Sequence, residues 1–130
     1  MCLEIIASID AIPGKGVGAR RLSRETGLRV TKVRFEERPA LHFAVSGPCS
    51  CEFLPDAYDS EAPTWHLDPQ HIEALARALC ILTTHAGKFS FLVRFIGAER
   101  KRTTMPMAKA EFLDLLRGNR VGNNVLYEVG

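Results

Sequence analysis

The sequence has no apolar run near the roughly 18 residues needed to cross a bilayer. Its start, Met1-Cys2-Leu3-Glu4, has neither the basic stretch nor the small-residue cleavage site of a secretory leader. These absences argue against a membrane span or a signal peptide, and the reading is a soluble, cytoplasmic protein. Cysteine is limited to residues 2, 49, 51 and 80, which do not form a disulfide-framework pattern, and a chain of 130 residues buries enough core to fold without one. The four are expected as free thiols. Tryptophan occurs once, as Trp65, and between residues 52 and 73 there is no lysine or arginine at all.

That gap is one half of a charge division hidden by the net charge of +2. Residues 15–38 hold eight basic side chains against three acidic ones, a balance of +5, whereas residues 52–73 hold six acidic ones, a balance of −6. Such a division can steer an anionic partner or draw two copies together head to tail. The plainer account is two solvated faces that offset each other within one fold. Hydrophobic residues at 46% and charged residues at 25% are close to the globular average, so residues 1–130 read as a single ordered domain.

Periodicity supplies the elements. Leu3, Ile5, Ala7 and Ile9 alternate as a strand stopped by Pro13-Gly14, and a short arginine-rich helix over 19–26 is closed by Gly27. Thr31, Val33 and Phe35 alternate with Lys32, Arg34 and Glu36, a turn follows at Glu37-Arg38-Pro39, and Leu41, Phe43 and Val45 complete a hairpin. Residues 47–67, with Pro48, Pro55, Pro63 and several acids, read as one long acidic loop, a length that in a compact domain marks function or mobility. Asp68 as N-cap, Pro69 at the first helical position and Leu67 stapled onto Ile72 open a helix whose core stripe runs through Leu75, Ala76, Leu79 and Leu82. Its second apolar face, Ala74, Ala78 and Ile81, is left for the loop or another subunit.

Phe89, Phe91, Val93 and Phe95 share one side of the next strand, and Pro106 confines the strand over 103–107 to a sheet edge. A helix over 109–117 stops at Gly118, and Val125, Tyr127 and Val129 form the last strand. The fold class is α+β, an antiparallel sheet with helices on one face, in the order β-α-β-β-α-β-β-α-β. The first six elements follow the order of the ferredoxin-like split β-α-β arrangement, an analogy that carries no function.

The most suggestive chemistry is Cys49-x-Cys51 followed by His66 and His71, two thiolates and two imidazoles that zinc accepts tetrahedrally. Against it, Cys-x-Cys is tighter than the usual spacing, and Asp68-Pro69 starts a helix between the histidines. The plain alternative is a pair of small packed cysteines and two surface histidines. A redox role for the same pair is disfavoured by the acidic loop, which is expected to raise the thiol pKa values.

Residues 14–19 fit G-x-G-x-x-A with Glu36 at the end of the next strand, but the charged face of that strand does not suit a dinucleotide fold, and the stretch reads as a flexible loop. The aromatic strand at Phe89 and Phe91 resembles a base-stacking sheet only faintly and reads as core. Trp65 is a candidate partner anchor, with packing over the helix start as the alternative. Arg100, Lys101 and Arg102, near Arg94, could grip an anion or stand as a solvated turn.

No catalytic constellation is visible. The leading expectation is a non-enzymatic interaction module without a required cofactor, plausibly a homodimer, meeting a protein partner through Trp65, Ile81 or the 100–102 turn. A zinc or thiol domain built on Cys49, Cys51, His66 and His71 is the alternative, and nucleic-acid binding through the basic segment ranks last.

Overall fold

The computed structural model describes residues 2–9, 18–85, 87–98 and 100–130. The Pro13-Gly14 stop, the glycine-rich stretch as far as Val17 and Glu99 of the expected turn lie outside the described residues. Six strands and three helices follow in the order β1 (Leu3–Ile9), α1 (Ala19–Thr26), β2 (Arg29–Phe35), β3 (Arg38–Ala44), α2 (Pro69–His85), β4 (Phe89–Phe95), β5 (Thr103–Met107), α3 (Lys109–Arg117) and β6 (Val125–Val129). One 3-10 turn, Ser50–Phe53, falls between β3 and α2.

The strands form one sheet in the order β2-β3-β1-β4-β6-β5. Four pairings are antiparallel, but β5 and β6 pair parallel, from Thr103 beside Val125 to Met107 beside Val129. The sheet is therefore mixed, which corrects the antiparallel expectation. The cause is α3: a helix returns the chain to the starting end of β5, so the strand after it runs in the same direction. β6 enters between β4 and β5 and leaves β5, with its proline, at the edge.

All three helices cover one face. Leu22 of α1, Ile72, Leu75, Leu79 and Leu82 of α2, and Phe112 and Leu116 of α3 join Leu3, Ile5, Phe43, Phe91, Val93 and Tyr127 in the main core. Asp68 caps α2 by accepting the Gln70 amide at 3.2 Å, and Gly27 ends α1 at φ 77. The second face of α2 is not left open: Ala78 is fully buried, Ala74 and Ile81 pack against the core, and α2 touches both α1 and α3. Two shorter helices of the same chain thus flank α2.

The opposite face carries a smaller cluster, Ile6, Phe35, Ala40 and Leu92. The guanidinium groups of Arg94 and Arg102 lie 5.2 and 5.3 Å from the centre of the Phe35 ring. Arg94 is bound to Glu4 at 2.9 Å, and Arg102 to Glu36. β2 and β5 are the two outer strands, and the Arg102–Glu36 pair links the residue after β2 to the residue before β5. The hairpin reverses at Glu36-Glu37, with φ of 50 and 65, one residue before the expected turn, and Arg38 and Pro39 belong to β3. Two positive φ values suit the twist of a two-residue hairpin, although asparagine and glycine are the usual occupants.

Candidate metal centre

The acidic stretch after β3 is fastened at several points. Glu52 Oε1 accepts the Ser46 hydroxyl at 2.8 Å, the Gly47 amide at 2.9 Å and the Ser46 amide at 3.2 Å, which folds the chain back into the 3-10 turn. Those donors, the Ser46 hydroxyl first, hold the Glu52 carboxyl below the usual range. Further on, the Asn119 side chain serves both backbone groups of Leu67, at 2.8 and 2.7 Å, and Asn123 donates to the carbonyls of Ser60 and Ala62. The Trp65 amide donates to the Val121 carbonyl at 2.8 Å. From Ser60 to Leu67, what reads in sequence as a long irregular loop has several backbone groups bonded to the chain just ahead of β6.

The turn that carries Cys49-Ser50-Cys51 also completes the sheet. The β1–β3 ladder pairs only Ile6, Ala7 and Ser8 of β1. Beyond it, the Ile5 amide donates to Ser50 Oγ at 3.1 Å, Ser50 Oγ donates to the Phe43 carbonyl, and the Leu3 amide donates to Cys51 Sγ at 3.3 Å. Side chains of the turn thus replace strand partners where β1 and β3 diverge. Ser50 is fully buried, and its hydroxyl also lies 3.3 Å from His42 Nε2.

This docking brings Cys2, ahead of β1, to Cys49 and Cys51. The three sulfur atoms all lie within 4.8 Å of one another, and each residue is half-buried. A zinc ion at about 2.3 Å from each sulfur needs them about 3.8 Å apart, within the 4.8 Å span of the group. The three cysteines are therefore close enough to hold one metal ion. Their ionisation differs: the backbone N–H of Cys51 lowers the Cys49 thiol pKa, helped by the Cys51 and Cys2 thiols and opposed by burial and Glu52. Burial pushes the Cys51 thiol up to about 11. The expected acid-driven rise thus fails at Cys49, because the nearby amide outweighs the carboxylate.

His66 and His71 do not belong to the group. His66 is exposed beside Tyr58 and Trp65, and His71 sets its ring edge-on to Phe53 with centroids 5.7 Å apart. Cys80 is on α2, its sulfur 3.7 Å from Arg117 Nη2. Cys2, which sequence spacing does not select, takes part because β1 lies beside the turn; no motif links residue 2 to residue 49.

The expected partner residues fare differently. Trp65 is 2% exposed and donates through Nε1 to the Val93 carbonyl at 3.2 Å, so its indole is core and is not offered to a partner. Ile81 is half-buried against the core. Arg100 donates to the Glu61 carbonyl at 3.2 Å and Arg102 is paired with Glu36, while Lys101 is exposed. Two of these three cations are thus engaged within the chain, which weakens an anion grip. No helix among the described residues is long and apolar enough to cross a membrane. Comparison with known proteins finds no matching family model, no matching curated protein and no matching solved structure.

Proposed function

We propose that the protein binds one soft, thiophilic metal ion, zinc(II) or copper(I), through Cys2, Cys49 and Cys51. The observation that carries this reading is the convergence of three sulfur atoms from two distant parts of the chain within 4.8 Å. An all-sulfur donor set selects soft cations over magnesium or calcium, which take oxygen. The Cys51 backbone N–H lowers the Cys49 thiol pKa, and a bound ion would displace the proton from Cys51, whose pKa burial raises.

Native mass spectrometry of the reduced chain titrated with zinc(II) tests the reading. One ion per chain is expected, lost in Cys2→Ser and Cys49→Ser and retained in His66→Ala and His71→Ala. A chain that stays metal-free with equimolar zinc(II) and with copper(I) would overturn it.

Among the described residues, the interaction-module reading draws support only from Tyr58, Ile96 and Met105, the large apolar side chains left exposed. Single exposed apolar residues are ordinary. For the fold, the β2-β3-β1-β4 order with α1 and α2 on one face favours the split β-α-β arrangement, extended by β5, α3 and β6. That likeness carries no activity.

A further inference from the structure

The cysteine group is short of a ligand. All four histidines and all four cysteines of the chain are described residues, yet only three sulfurs converge, and no described aspartate or glutamate joins them. Structural zinc sites close with four protein ligands, whereas sites that exchange a ligand keep one position open. The three cysteines are half-buried, so the group lies at the surface.

Nor does the surrounding fold depend on an ion. Leu3, Ile5, Phe43 and Phe53 around the turn are buried in the main core, and the turn is joined to β1 and β3 through Ser50. A domain with its own core does not need metal to fold, in contrast to small metal-built domains.

We propose that the bound ion keeps one coordination position open to solvent, that the thiolate of a second molecule fills it, and that the cluster therefore hands its ion on by ligand exchange. The inference rests on the metal reading above. As the new metal–sulfur bond forms, the incoming thiol gives its proton to solvent. When a chain sulfur then leaves the ion, it takes a proton up, so the exchange needs no oxidant or reductant and the ion keeps its charge.

The test uses the full chain, reduced with a phosphine so that no other thiol is present, loaded with zinc(II) and then given 2-mercaptoethanol. Native mass spectrometry is expected to gain a species of chain, zinc and one mercaptoethanol thiolate. The rate of zinc release to a chromogenic chelator should rise in proportion to thiol concentration. Cys2→Ser, checked for folding by circular dichroism, is expected to lose the ternary species. Zinc bound with no ternary species, and released at a rate independent of thiol, would overturn the exchange inference and leave the metal reading standing. Absence of bound zinc and copper(I) would overturn both.

Discussion

Leu3 and Cys51, 48 residues apart in the chain, are joined by a hydrogen bond from the Leu3 amide to the Cys51 sulfur at 3.3 Å. The same sulfur belongs to the three-cysteine group, so one side chain serves the sheet and the candidate site together. Cys51→Ala removes the acceptor from a buried strand amide and is expected to cost about 1 kcal/mol more than Cys51→Ser, which keeps one. Urea denaturation of the two metal-free variants measures the difference; equal stabilities would mean that the sulfur is not a partner of Leu3.

Ser50 is the second fastening. Its fully buried hydroxyl accepts from Ile5 and donates to Phe43, so Ser50→Ala strands an N–H and a carbonyl at once. A loss of about 2 kcal/mol in unfolding free energy is expected. Ser50→Thr, which retains the hydroxyl, reports how much of any loss comes from packing alone.

His42 gives stability a pH dependence. Burial holds its pKa below the ordinary 6.5, with the nearby Arg29 charge acting in the same direction and Glu4 against it. The folded state therefore binds fewer protons than the unfolded chain in the window below 6.5. The contribution is complete above that value and is lost as pH falls through it toward the lowered pKa. Denaturant midpoints should drop between neutral and mildly acidic pH, and His42→Gln should flatten that slope. An unchanged slope would assign the acid sensitivity elsewhere.

The Glu36-Glu37 turn stores strain, since both residues have positive φ. Glu36 is paired with Arg102, which leaves Glu37 as the position to relax. Glu37→Gly removes the steric cost of a left-handed residue and is expected to raise stability by about 1 kcal/mol net of glycine's entropy. Thermal and urea unfolding check it, with Glu37→Ala as the control expected to bring no gain.

Trp65 makes a spectroscopic prediction. With 2% exposure and its indole N–H on the Val93 carbonyl, it should emit at short wavelength and resist iodide quenching. Trp65→Phe is expected to cost about 2–3 kcal/mol through the lost hydrogen bond and the space left behind. Strong quenching in the folded state would put the ring at the surface instead.

Local chemistry alone marks most of the individual elements. Asp68-Pro69 sets the start of α2, Gly27 closes α1 in the left-handed region, Pro106 holds β5 to an edge, and the alternation at Leu3 and Phe89 marks β1 and β4. Each of these signals acts over a few residues, through a cap, a fixed φ or a period of two. Local signals set the hairpin turn one residue too late, because Glu-Glu is a poor occupant of positive φ and gives no turn signal.

Tertiary structure decided what those signals do not carry. Alternation says which residues share a side of a strand, but it is silent on which strand lies beside it. Only the crossover through α3 made β5 and β6 parallel, and only the docking of residues 49–51 on β1 gave the two loop cysteines a third sulfur, that of Cys2. It also turned Trp65 inward, because the segment ahead of β6 satisfies the backbone on either side of it. Residues far apart in sequence meet only once the chain is folded, and a ligand set assembled in that way has no spacing by which to read it.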